Sequence, residues 1–369
     1  MSTKPSRLTA VFFGLCLSIN GCICGTNAVS MSVKNIARQQ KEIKIDRANL
    51  KRIVREIATA PHPLGSPRQA QVKDFIIAEV QKLGLTPVVQ DFVVDAPNPD
   101  AKTDASDRPF ALTVKKSGAN IIVPFGLKDH SECIVLIGTH YDSKIVTGTE
   151  YLGANDSASS TAAVLEIARL TQTATEFLPF KRGLQCDLVG VFFDGEESVL
   201  SGWNDGLEHP AKMQDNLYGS RHMVGQLTNC DAVPGKKCLQ IMATKPTEQL
   251  AVEALVLMDM IGSPNLLLTR DTNSSQPLIT IAETAVSTAF DGHLFSDHEK
   301  PMIDDHIPFI NASIPAINLI DFEHLGYWHA PDDDFEHLSF VSIESALRLA
   351  MIISVQSATN PKAIAPIRR

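Results

Sequence analysis

Excess positive charge is what this 369-residue chain most plainly lacks: 33 Lys and Arg stand against 42 Asp and Glu, for a formal net charge of −9. With no basic excess to neutralise phosphates or anionic headgroups, nucleic acid is excluded as a partner. Aromatics are scarce at 6%, and Trp203 and Trp328 are the only tryptophans. Beyond the first thirty residues no uninterrupted apolar run approaches the roughly 20 residues a membrane span needs. Internal repeats and long low-complexity blocks are absent, which excludes solenoid and fibrous architectures. Seven cysteines are too few for a disulfide miniprotein of this length. What is there, 44% apolar and 20% charged residues, is an ordinary globular composition with ample chain for a core.

The first residues differ from the rest. Lys4 and Arg7 precede a short apolar run from Leu8 to Ile19, with small residues after it. This reads as a signal peptide over residues 1–28 and so as secretion, with no membrane in the mature form; a retained membrane anchor is the alternative. Ile19-Asn20-Gly21-Cys22 faintly resembles a bacterial lipoprotein cleavage site, although Asn20 fits that pattern badly. Cleavage would remove Cys16, Cys22 and Cys24 and leave Cys133, Cys186, Cys230 and Cys238. Cys230 and Cys238 bracket a short loop and suit either a disulfide or a pair of buried thiols. Asn273 and Asn311 each begin an N-glycosylation pattern, which matters only in a secreted chain.

The spacing of apolar residues predicts helices over Arg47–Ala58 and Gln69–Leu83, joined by an irregular Pro-rich link. Ala96 to Pro109, rich in Asp, Pro, Ala and Asn, reads as a surface loop. Cys133–Gly138, Leu188–Phe193, Ala254–Met258 and Pro315–Ile320 read as buried strands. Ser159–Leu170 reads as a helix capped by Asp156 or Ser157. This alternation predicts a single α/β domain around a central mixed, mostly parallel sheet flanked by helices. The expected organisation is a segment over 29–45 and a catalytic domain over 46–360.

Polar residues gather where these strands end. His140 and Asp142 follow the first, Glu196 and Glu197 the second, Asp259 the third and His329 the last. Open α/β sheets bind ligands beyond the carboxyl ends of their strands, so these side chains are expected to converge. Each alone has an ordinary explanation: a solvated glutamate pair, a helix cap, a core histidine. Asp194-Gly195-Glu196-Glu197, however, directly follows the apolar Val189–Phe193, where a surface pair is not expected. Crowded carboxylates repel unless a cation sits among them, and Asp, Glu and His together suit zinc.

The ordered set His140-Tyr141-Asp142-Ser143-Lys144, Asp156-Ser157, Phe193-Asp194-Gly195-Glu196-Glu197, Leu217–His222, Met258–Gly262, Asp304–Phe309 and Trp328-His329 resembles the animal-type glutaminyl-peptide cyclotransferases, which share the zinc aminopeptidase fold. The resemblance implies one zinc per chain on Asp156, Glu197 and His329, with Glu196 as acid/base. It also implies that Asp259 and Asp304 share hydrogen bonds with each other and with the substrate amine, and that Trp203 and Trp328 line the pocket. The implied reaction is attack of an N-terminal glutamine's α-amine on its own γ-carboxamide, giving 5-oxoproline and ammonia. The implied partners are peptides or proteins with N-terminal Gln, Glu being a slower substrate by analogy, and the chain is expected to be a monomer. Three features depart from the family. Thr139 stands where vertebrate secreted members have a disulfide cysteine, the Glu197–Trp203 spacing is longer by about one residue, and Ile320–Tyr327 differs from the usual Pro-rich loop.

The rival reading is a two-zinc aminopeptidase of the same fold, for which His140, Asp156, Glu197, Asp259, His329 and the base Glu196 supply every group. Trp328, Trp203 and the Asp304–Phe309 block favour the cyclase. A catalytically dead binding module would have lost ligands or base, and here all are present.

Overall fold

The computed structural model describes residues 32–101, 111–125, 132–173, 183–231, 234–240, 249–290 and 292–364. The expected signal peptide, with Cys16, Cys22 and Cys24, lies outside them.

Three helices lead in: α1 (Val33–Gln39), α2 (Arg47–Ile57) and α3 (Pro67–Lys82). Asp46 and Ser66 cap α2 and α3 by accepting from the backbone N–H of Asn49 and Gln69. Ile36, Leu50, Ile53, Val72 and Ile76 turn inward from these helices, so α1, in the N-terminal segment, is part of the core. β1 (Val88–Pro97) and β2 (Thr113–Pro124) follow as an antiparallel pair. Ala96 and Pro97 therefore belong to β1, contrary to the surface loop expected from Ala96 onward, because Ala96 is fully buried. Residues 102–110 of that expected loop lie outside the described residues.

β3 (Cys133–His140), β4 (Asp187–Phe193), β7 (Gln249–Asp259) and β10 (Ala316–Ile320) form the parallel centre of the sheet. The antiparallel margins are β1 and β2 beside β4, and β5 (Thr228–Asn229) and β6 (Lys237–Gln240) beside β7. The expected mixed sheet is thus parallel where it is central. Its strands read as apolar runs because both faces are covered. Val135 and Ile137 face one core layer, with α2, α4 (Ser160–Thr173), α7 (Gln276–Ala289) and α9 (Phe340–Thr359). Ile134 and Leu136 face the other, with α6 (Tyr218–Gly225) and α8 (His306–Asn311). A short α5 (Asp205–Glu208) and the parallel pair β8 (Leu268–Asp271) and β9 (Phe295–Lys300) complete the described elements. Among the described residues α9 alone has the length and apolarity to cross a membrane, and it is mostly buried in this core.

Two disulfides are present among the described residues. Cys230 and Cys238 are joined across their short loop, the disulfide of the two alternatives left open for this pair. Cys133–Cys186, with Cα atoms 4.7 Å apart, ties the start of β3 to the residue before β4. It was not foreseen, since the two cysteines are 53 residues apart and meet only once β3 and β4 pair. Closing a loop of that length stabilises by about 4 kcal/mol on chain entropy. The Thr139 hydroxyl donates to Ser160 Oγ at 2.8 Å, spanning from β3 to α4.

Candidate active site and metal centre

The register of the parallel strands builds the site. His140 pairs with Phe193 and Asp259 with Ile320, so the four central strands end along one edge of the sheet. Gly195, with φ of 69°, then turns the chain so that Glu196 and Glu197 face back over that edge. The turn is fixed by Leu217 N–H donating to Glu196 O at 2.8 Å and Tyr218 N–H to Gly195 O at 2.7 Å. Gly219 allows this approach: a Cβ there would lie 2.5 Å from Asp194 O. Beneath, Asp142 accepts from the N–H of Glu196 at 3.0 Å and of Glu197 at 3.3 Å.

Asp156 enters from the wide turn Ala154–Ser159 before α4. Neither Asp156 nor Ser157 caps α4, contrary to expectation. The Asp156 carboxylate faces the site, and the Ser157 hydroxyl donates to His140 O. Asp156 N–H donates to Asp333 Oδ2 at 3.1 Å, and the same oxygen accepts from Tyr151 OH at 2.9 Å. His329 approaches from the loop after β10 with φ of 52°, a strained conformation for a non-glycine residue. The indole of Trp328 stacks on the His329 ring, 4.3 Å between centroids, while Tyr151 meets that ring edge-on at 5.7 Å.

All eight residues singled out for the site, Asp156, Glu196, Glu197, Trp203, Asp259, Asp304, Trp328 and His329, line one cavity of about 290 Å³. Met260, Met302, Ile303, Ile320 and Phe322 supply its apolar walls. Within it, donor atoms of Asp156, Glu197 and His329 lie within 4.8 Å of one another, and so do those of His140, Asp156 and Asp259. His329 Nε2 is 3.0 Å from Glu197 Oε1 and 3.6 Å from Asp156 Oδ2. His140 Nε2 is 3.0 Å from Asp156 Oδ1 and 3.2 Å from Asp259 Oδ1. Asp156 Oδ1 and Glu197 Oε2 are buried and accept no hydrogen bond. Orphaned buried oxygens beside histidine nitrogens are what a cation would satisfy, so the residues fit a metal, and zinc is the default for this donor set. The two groups share Asp156, so the donor inventory by itself accommodates either one ion or two.

The acids follow their surroundings. Burial, with the charges of Glu197, Asp304 and Asp305, pushes the Glu196 carboxyl well above its ordinary range against the pull of His140. Burial and the Asp156 charge push Asp259 up to about 8. Burial also raises Asp304, against hydrogen bonds from Asn318 Nδ2 at 2.7 Å and from the Asp305 N–H. Asp156 alone goes down, because His140 and His329 outweigh its burial. Asp259 and Asp304 line the same cavity, each anchored by a donor of its own.

The model of peptidase family M28 matches residues 120–353, well over half of the chain. The chain belongs to peptidase family M28. This M28 chain is 24% identical to the glutaminyl-peptide cyclotransferase of Dictyostelium discoideum over 94% of its own length and 96% of the relative's. Among solved structures it is similar to Macrostomum lignano glutaminyl cyclase, with a TM-score of 0.61 at 20% identity, covering 90% of this chain and 94% of that one. It is equally similar to a Zn-dependent exopeptidase from Parabacteroides distasonis, with a TM-score of 0.61 at 19% identity, covering 85% and 99%. The two likenesses show a zinc aminopeptidase-like fold and do not choose between the chemistries.

Four residues that shape the M28 site had no assigned part in the sequence reading. Asp333 and Tyr151 hold Asp156, and nothing local signals them. Lys144, almost fully buried, donates from Nζ to Ser198 O and Leu200 O, both at 2.6 Å, pinning the chain beyond Glu197. Asn318 was visible only as a polar residue inside the apolar run Pro315–Ile320.

Proposed function

We propose that this chain is a secreted glutaminyl-peptide cyclotransferase. It converts the N-terminal glutamine of peptides and proteins to 5-oxoproline, with one zinc held by Asp156, Glu197 and His329. The observation that carries the reading is the single apolar-walled cavity in which this triplet, the acids Glu196, Asp259 and Asp304 and both tryptophans meet. A curated cyclotransferase aligned over nearly the whole chain supports the activity. Two disulfides beside a charged-then-apolar N-terminal sequence support secretion.

A zinc ion bound by the triplet would act as a Lewis acid on the γ-carboxamide. The remaining work falls to the chain. Asp259 and Asp304 hold the α-amino group of the substrate. Trp203 and Trp328 flank its methylenes and keep water from the reacting carbon. Glu196 takes a proton from the amine as the new C–N bond forms and returns it to the departing nitrogen, which leaves as ammonia. Burial raises this carboxyl above its ordinary range, the direction that favours a group which must hold the proton before returning it. Nucleophile and electrophile belong to one residue, so the pocket has only to hold the folded conformer. No covalent intermediate with the enzyme is needed.

The His140, Asp156 and Asp259 group favours one second reading, a two-metal aminopeptidase. Reconstitution with zinc and native mass spectrometry separates the two. One ion per chain is expected, with Glu196→Gln keeping that ion while losing about 10²- to 10⁴-fold in kcat. Two ions per chain with free glutamine released from Gln-peptides would make it a peptidase. No zinc and no turnover would leave a binding module.

A further inference from the structure

A second cavity, of about 220 Å³, abuts the first. Trp203 and Ile303 line both, so the wall between them is one side chain thick. The remaining lining comes from the segment around α5, chiefly Leu207, Gly206, Gln214 and Asn216. Leu207 is 57% exposed and Ile303 51% exposed, and together with the half-buried Trp203 they make an apolar rim open to solvent. Large apolar side chains converging on a concavity at the mouth of a site mark a contact surface. The concavity is preformed: Asn216 Nδ2 donates to Trp203 O at 3.3 Å, and Met213 N–H to Gly206 O at 3.0 Å. Asp215 lines it too, but its carboxylate already accepts from the N–H of Val199 and Leu200 and from Tyr218 OH. Among the described residues no Lys or Arg lines it to attract an acidic side chain.

Resting on the cyclase reading, we infer that the cavity beside Trp203 is a subsite for an apolar side chain at the third position of a substrate beginning with glutamine. The glutamine side chain occupies the first cavity, and the peptide leaves past the Trp203–Ile303 rim. In an extended peptide, side chains two residues apart lie on one face, roughly 6.6–6.8 Å apart. That spacing carries the third side chain over a wall one side chain thick and turns the second toward solvent. The cavity has room for Leu or Phe, and the buried Asp215 charge disfavours Asp.

The test is the steady-state kinetics of H-Gln-Ala-Xaa-NH₂ with Xaa Leu, Phe, Ala or Asp, beside glutaminamide, which has no third residue. The Leu and Phe peptides are expected to exceed the Ala peptide in kcat/KM by about tenfold, with Asp lowest. Leu207→Ser removes that preference and Leu207→Trp, which fills the cavity, abolishes it for Phe. Both leave glutaminamide turnover unchanged, since Leu207 lines only the second cavity. Glutaminamide cyclised normally with the four peptides within about twofold of one another would overturn the subsite alone. Failure to cyclise glutaminamide at all would overturn the cyclase reading and the subsite with it.

Discussion

Asn318→Leu is the substitution whose consequence can be worked furthest. Asn318 is buried on β10, and its Nδ2 donates to Asp304 Oδ2 at 2.7 Å in the wall of the cavity. Leucine has a similar size and no donor, so it strips a buried carboxylate of a charge-assisted hydrogen bond, an interaction of about 1.5–3 kcal/mol. Without that donor the Asp304 carboxyl, already raised by burial, rises further. A protonated Asp304 no longer holds the substrate amine. The acidic limb of the pH profile of kcat/KM therefore moves upward, and where Asp304 is protonated the loss reaches about 10- to 100-fold, the equivalent of the lost hydrogen bond. The assay is ammonia release from glutaminamide across pH, with urea unfolding of the same protein alongside. Asn318→His, which retains an N–H donor, should recover part of the loss. A variant that is merely less stable, with the acidic limb unmoved and kcat/KM within about twofold of the parent, would refute the reasoning.

Three further predictions concern groups elsewhere in the fold. Lys144→Met leaves Ser198 O and Leu200 O without their donor and should cost about 2–3 kcal/mol in urea unfolding, a cost under about 0.5 kcal/mol contradicting the anchoring role. Burial lowers His62 from its ordinary 6.5 to about 4, so the fold prefers the neutral ring. The stability it contributes is complete above pH 6.5 and is lost as pH falls toward 4, by roughly 2.5 kcal/mol between about pH 7.5 and about pH 4.5. His62→Asn should lose correspondingly less over that interval, and equal losses would contradict the assignment. In a secreted chain a glycan is expected on the exposed Asn311 and not on Asn273, whose Nδ2 donates to Met302 O at 2.7 Å; glycopeptide mapping with carbohydrate on Asn273 would contradict this.

Legibility in the sequence tracked how local each cause is. The helices over Arg47–Ala58 and Gln69–Leu83 and the four central strands were readable, because amphipathic periodicity and buried apolar runs are properties of a few neighbouring residues. Glu196 and Glu197 were conspicuous for following an apolar strand. Trp203 and Asp304 entered only through resemblance, since no local pattern places a residue after β4 against one before α8. What stayed hidden depends on chain brought together from afar. Asp333 is 177 residues from the Asp156 N–H it accepts from, Cys186 is 53 from Cys133, and Lys144 is 54 from Ser198. From local sequence Asp156 was only a candidate helix cap, because an acid before a helix usually is one, and its place among the metal ligands came through resemblance. In the fold its carboxylate faces His140 at the end of β3, with Oδ1 3.0 Å from Nε2. The positive φ of His329 has no signature in residue type.

The central claim is that the cavity joins two atoms of one residue and leaves the peptide bond beside it intact. Mass analysis of a zinc-loaded digest of H-Gln-Ala-Leu-NH₂ tests this directly. The account predicts one product, the whole peptide lighter by one ammonia, absent with Glu196→Gln. Free glutamine together with H-Ala-Leu-NH₂ would contradict it and place the chain among the peptidases.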